Sequence, residues 1–239
     1  MQTINATTLI SLIDLTTLSA SDDPTVITAL CQKAKRFKVA AVCIYPQFIP
    51  LAKSLLANSA IKIATVANFP CGDTPITEVS SQIKQAISDG ADEIDVVMPY
   101  RTYQQGQQQT VTDFIAICRQ ACGSHVLMKV IFETETWQDP LQLANACQDV
   151  ILAGADFLKT STGKLPIGAT LEASAILLKA IANHRTRAIG FKAAGGIRTL
   201  TQVWAMVELA QSYRLPIDAT RLRLGASRLL ELLEPSIES

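Results

Sequence analysis

Short apolar runs recur along the chain at residues 13–16, 39–44, 61–66, 93–97, 126–132, 156–159, 188–192 and 222–225, and most are followed by a stretch with helical spacing. Strands that alternate with helices build βαβ units, whose strands lie parallel in one sheet and are buried on both faces. Eight such units in 239 residues match an α/β chain closed into a (β/α)8 TIM barrel; an open doubly wound sheet is the other arrangement the pattern allows. A short N-terminal helix is expected over residues 7–13, ahead of the first strand. Residues 1–239 read as one barrel domain, with no linker or low-complexity segment, and the tail after Leu233 is expected to fray.

Two helices announce their ends. One is predicted from Thr74-Pro75 to Asp89 and the other from Asp139-Pro140 to Ala153, each with a capping residue followed by proline at the first helical position. Each stops at a glycine, Gly90 or Gly154, suited to a left-handed cap. After those glycines the chain repeats itself, 64 positions apart: Gly90-Ala91-Asp92 leads into Glu93-Ile94-Asp95-Val96-Val97, and Gly154-Ala155-Asp156 into Phe157-Leu158-Lys159-Thr160. Asp95 and Lys159 therefore occupy equivalent places on the fourth and sixth strands. In a barrel, alternate strands fill the same interior layer, so the two side chains are expected on the same side of the wall at the same height.

Bulk properties remove several functional classes. Residues are 49% hydrophobic and 18% charged, and the formal net charge is zero. The chain can build a large core and carries no basic footprint for nucleic acid or an anionic membrane. It shows no signal peptide and no apolar run long enough to cross a bilayer. The six cysteines lack a CxxC pair and read as reduced, buried thiols of a cytosolic protein. Cys118 and Cys122 share a helix face without further ligands, and His125 and His184 lie at element edges, so a metal site or histidine triad is not expected.

The chemistry points to lysine. Lys159 ends an apolar strand, and Lys192 sits in Ile189-Gly190-Phe191-Lys192 ahead of Ala193-Ala194-Gly195-Gly196. A surface-facing lysine on a half-exposed strand is the bland alternative, but a parallel strand covered by helices has no exposed face. At its ordinary pKa near 10.4, only about 0.04% of a lysine is neutral at pH 7; a depression of about three units raises that to nearly 30%. A neighbouring cation and partial desolvation supply such a depression, and Asp95 could move protons during imine formation. Glycine-rich turns follow the seventh and eighth strands, Gly195-Gly196 with Arg198 and Gly225-Ala226-Ser227 with Arg228, where barrel enzymes bind phosphate; Lys164 could add charge. Asp14 reads either as a ligand to a substrate hydroxyl or as a helix cap. Lys129 and Glu133 bracket the fifth strand as a mainly structural polar pair near Asp95.

The motifs Asp14-Leu15-Thr16-Thr17-Leu18, Val42-Cys43-Ile44-Tyr45-Pro46, Val66-Ala67-Asn68-Phe69-Pro70, Glu93-Ile94-Asp95-Val96-Val97, Lys159-Thr160-Ser161-Thr162-Gly163-Lys164 and Gly190-Phe191-Lys192 resemble those of the deoxyribose-phosphate aldolase family, across essentially the whole chain. The resemblance implies reversible cleavage of 2-deoxy-D-ribose 5-phosphate into acetaldehyde and D-glyceraldehyde 3-phosphate. It implies Lys159 as the Schiff-base lysine, Lys192 as its perturbing partner and Asp95 as the acid in proton transfer. Lys164, Gly195, Gly196, Gly225 and Ser227 then fall in the phosphate-binding motifs, and Asp14 near the substrate hydroxyls. No metal or organic cofactor is implied, and the family commonly forms cytoplasmic homodimers. Two positions depart from the usual pattern: Ala193, where proline is frequent, and Arg228, where serine is frequent. Rival readings are a phosphosugar isomerase using Asp95 as base, and a sugar-phosphate-binding barrel without chemistry.

Overall fold

Eight strands close into an all-parallel barrel in chain order in the computed structural model, which describes residues 4–226 and 229–233. They are β1 (Ile13–Thr16), β2 (Ala41–Ile44), β3 (Lys62–Ala67), β4 (Glu93–Val97), β5 (Leu127–Ile131), β6 (Phe157–Lys159), β7 (Gly190–Ala194) and β8 (Leu222–Ala226). Parallel neighbours and β1–β8 closure settle the choice between the two α/β arrangements in favour of the (β/α)8 barrel. The N-terminal helix is shorter than expected, Ala6–Ser11, because Ile13 already belongs to β1. The tail beyond Leu233 lies outside the described residues.

The internal repeat has a structural cause. Gly90 and Gly154 take φ of 111° and 113° at the ends of helices Ile76–Asp89 and Pro140–Leu152, a conformation that side-chain-bearing residues rarely adopt. The alanine that follows donates back into the helix, Ala91 to Ala86 and Ala155 to Val150. The aspartate then ties the next strand to its neighbour: Asp92 accepts from the Ile63 N–H and Asp156 from the Met128 N–H, each at 2.9 Å. Equivalent joints deliver Asp95 and Lys159 to equivalent places.

One helix start differs from expectation. Asp139 caps Pro140–Leu152 by accepting from Leu141 N–H, as expected, but Ile76–Asp89 has Pro75 at its cap position and no side-chain cap. Thr74 is held in the preceding loop instead, donating its N–H to Asn68 Oδ1 at 2.9 Å.

The apolar core lies mainly between the barrel wall and its helices, where residues such as Ile83, Ile115, Leu177 and Val207 are fully buried, each contributing about 1.5–3 kcal/mol. Cys118 and Cys122 face that layer, and burial pushes their thiols up to about 12 and about 11. Inside the barrel one small apolar group comes from β2 and β3, with Ala41, Cys43, Ala64 and Val66, and the Phe157 ring of β6 packs against Gly190 and lies 5.9 Å from the Arg223 guanidinium. Beside them the interior holds a cluster of buried charged side chains. Among the described residues, no helix is long and apolar enough to cross a membrane.

Candidate active site

Side chains on one strand alternate between the two faces of the sheet, so Glu93 and Asp95 on β4 share a side, as do Arg223 and Gly225 on β8. Register aligns Asp95 with Lys129 on β5, and aligns Lys159, Lys192 and Arg223 across β6, β7 and β8. Their side chains meet in the barrel interior. Lys159 Nζ and Lys192 Nζ each donate to Asp95 Oδ2 at 2.7 Å, and Lys129 Nζ donates to Asp95 Oδ1 at 2.8 Å. Lys192 Nζ also lies 2.5 Å from Asp14 Oδ2. Arg223 donates to Asp14 at 2.5 Å and to Glu93 at 2.7 Å, and Lys129 lies 2.6 Å from Glu93.

Burial and pairing divide these groups. For Lys159, burial is the main cause that pulls the pKa below the ordinary lysine value; Asp95 opposes it, and the Lys192 cation adds to it. Burial also works against the charged form of Lys192, but Asp14 and Asp95 outweigh it and raise its pKa. Lys129 is raised in the same way, by Asp95 and Glu93 against burial. Burial would raise Asp95, yet Lys129, Lys159 and Lys192 hold it well below the carboxylate range. One amine among three is thus eased toward the neutral, nucleophilic form, and it is Lys159, which is 2% exposed.

A cavity of about 300 Å³ opens over Lys159 and Lys192 at the C-terminal end of the strands, where barrel enzymes place their chemistry. Its rim includes Gly163, Lys164, Gly195, Gly196 and Gly225. Larger hollows elsewhere, one of them at the N-terminal end of the strands, reach neither lysine. Gly195 and Gly196 take φ of 78° and 74°, and a Cβ on Gly196 would fall 2.2 Å from the Ile167 carbonyl oxygen. That close approach seats the loop after β6 on the loop after β7. Gly225 makes room inside, since a Cβ there would lie 2.9 Å from Ala194 Cβ and 3.4 Å from Lys192 Cε. The exposed Lys164 donates through Nζ to the Leu18 carbonyl and stands 5.9 Å from the Phe69 ring centroid.

The expected trio of Lys159, Lys192 and Asp95 is brought together, and Lys164, Gly195, Gly196 and Gly225 line the same cavity. Ser227 and Arg228 lie outside the described residues. Of the two readings of Asp14, the helix cap does not hold: the cap of the next helix is Asp23, and Asp14 sits within β1, fully buried. Its carboxylate faces Lys192 and Arg223. Lys129 and Glu133 do not pair, because Glu133 turns at φ 51° and accepts from Thr162 N–H and Oγ–H, steadying the loop after β6. Cys43 is buried in the interior, and desolvation raises its pKa. Arg223 and Glu93 escaped the sequence reading; the signal available was two-residue spacing from Gly225 and Asp95.

The chain matches the model of the DeoC/LacD family aldolases over residues 8–227. It is 42% identical over 227 residues to the deoxyribose-phosphate aldolase of Agrobacterium fabrum, covering 93% of this chain and 87% of that protein. Among solved structures, the aldolase QR15 superposes with a TM-score of 0.83 at 27% identity, covering 96% of each chain. A tetrameric deoxyribose phosphate aldolase from Aeropyrum pernix superposes at 0.76 with 26% identity, covering 98% of this chain and 93% of that one. A family match over nearly the whole barrel, and a close relative with this activity, make the chain an aldolase of the lyase class that belongs to the deoxyribose-phosphate aldolase family.

Proposed function

We propose that this protein reversibly cleaves 2-deoxy-D-ribose 5-phosphate to acetaldehyde and D-glyceraldehyde 3-phosphate through a Schiff base on Lys159. The observation that carries the reading is the Lys159 amine, buried, bonded to Asp95 and flanked by Lys192 at the base of the cavity. Neutral Lys159 adds to the C1 aldehyde of the open-chain sugar, and loss of water leaves a protonated imine. A base takes the C3 hydroxyl proton, the C2–C3 bond breaks, and its electron pair flows into the imine to give an enamine. Glyceraldehyde 3-phosphate departs. Protonation of the enamine at C2 and addition of water release acetaldehyde and restore the amine. Asp95, Lys192 and water move the protons. The imine is itself the electron sink, so the steps call for neither metal nor organic cofactor.

Lys164, the backbone of Gly195, Gly196 and Gly225, and Ser227 hold the phosphate, fixing the reacting carbons from a distance. Asp14, with Lys192 between it and Asp95, serves the substrate hydroxyls through that lysine. The chain works as one barrel domain, as a homodimer in the cytoplasm; a sedimentation measurement checks the dimer. The deciding experiment is borohydride reduction in the presence of acetaldehyde, followed by intact-mass and peptide mass spectrometry. A stable two-carbon adduct on Lys159 is expected. A folded protein without the adduct would instead favour an isomerase or a sugar-phosphate-binding barrel.

A further inference from the structure

The interior ion cluster does not balance. Within 4.0 Å contacts, three carboxylates, Asp14, Glu93 and Asp95, face four basic side chains, Lys129, Lys159, Lys192 and Arg223. All seven are buried, where an uncompensated charge is costly. Arg223 cannot release a proton at accessible pH, so the missing proton must come from a lysine. Lys129 lies near all three carboxylates, and Lys192 lies 2.5 Å from Asp14 and 2.7 Å from Asp95. Lys159 has Asp95 alone, already shared with both other lysines.

We propose that Arg223 and Glu93, at the opposite end of the barrel from the cavity, are positioning residues that select Lys159 as the unprotonated amine. Neither residue lines the cavity over Lys159; both border a hollow at the N-terminal end of the strands. Arg223 satisfies Asp14 and Glu93, which leaves Asp95 to be shared among the lysines. Remove Arg223 and three carboxylates face three lysines, so Lys159 keeps its proton. Neutralise Glu93 and the cationic excess grows, so Lys159 loses its proton more easily. Among the other groups facing Lys159, β2 contributes the Cys43 thiol and β3 the neutral Ala64 and Val66. Glu133 beyond β5 is bonded to Thr162, and Lys164 and Arg198 at the rim are exposed to solvent and screened.

The catalytic consequence rests on Lys159 being the imine-forming residue, but the ionisation can be measured without it. Lysines labelled with 13C and 15N would be titrated by NMR, with the Lys159 signal assigned by its loss in Lys159→Met. Arg223→Met is expected to raise the Lys159 pKa, and the acid limb of kcat/KM with it, by about one unit. Glu93→Gln should move both the opposite way, and Glu93→Gln/Arg223→Met should return both to the wild-type position. A merely structural pair would not give shifts of opposite sign or restoration by the double variant. If only one single variant folds, its shift decides alone. No shift, or a shift of the wrong sign, overturns the proposal. Absence of an acetaldehyde adduct on wild-type Lys159 would overturn the aldolase mechanism while leaving the titration to judge the charge balance.

Discussion

Lys159 and Asp95, 64 residues apart in the chain, meet at 2.7 Å inside the barrel. The oxygen that receives Lys159 also receives Lys192 at 2.7 Å. One carboxylate oxygen serving two ammonium groups favours a state in which one of them is an amine. Lys192 keeps its proton because Asp14 stands 2.5 Å away on its other side. The pair Lys159–Asp95 is therefore both a hydrogen bond and the point where the cluster gives up a proton.

Replacing Lys159 by methionine separates reactivity from stability. Turnover should fall by at least about a thousandfold, the scale at which removal of a covalent nucleophile acts, and the borohydride adduct should vanish. Stability should not fall with it. The folded pKa of Lys159 is depressed, chiefly by burial, so its ammonium form destabilises the fold at pH values below its folded pKa, and this cost fades as pH rises toward the unfolded value of 10.5. The variant's gain in Tm over wild type should thus be larger at pH 6 than at pH 9. Calorimetry at the two pH values reads it, and a gain that grows with pH would contradict the assigned depression.

Lys192→Leu tests the neighbouring cation directly. It removes a positive charge bonded to Asp95, which leaves Lys159 as a better-held partner of that carboxylate. The Lys159 pKa should rise, and the acid limb of the kcat/KM profile should move to higher pH. A profile in its original place would assign Lys192 a role other than electrostatic.

Gly196→Ala probes the loop contact at the cavity rim. Its φ is 74°, and a Cβ there would meet the Ile167 carbonyl oxygen at 2.2 Å. The substitution should destabilise the protein by about 1–3 kcal/mol and raise KM for the phosphorylated substrate. Acetaldehyde trapping on Lys159 should proceed at an unchanged rate, because the amine is untouched. Slower trapping in the variant would mean that the loop shapes the lysine site as well as the phosphate end.

What could be read along the chain was whatever has a local cause. The strand-and-helix alternation follows from hydrophobic spacing, and the Gly-Ala-Asp repeat from a joint that needs a left-handed glycine and an aspartate to tie adjacent strands. Lys159 and Lys192 stood out because an ammonium inside a buried parallel strand is locally anomalous. Asp95 was placed beside Lys159 by the repeat, but the other charged residues of the cluster had no such signature. With both faces of each strand buried, apolar content does not separate inward from outward positions, so Glu93 and Arg223 passed as ordinary strand residues and Asp14 stood between a ligand to a substrate hydroxyl and a helix cap. Only barrel closure, which brings β8 beside β1 and turns Arg223 across the interior toward β4, decided that Arg223 meets Asp14 and Glu93. The sequence by itself determined the α/β fold class and singled out two lysines buried in strands; the assignment of charges around them was decided by tertiary structure, because Coulomb interactions depend on distances that chain order does not contain.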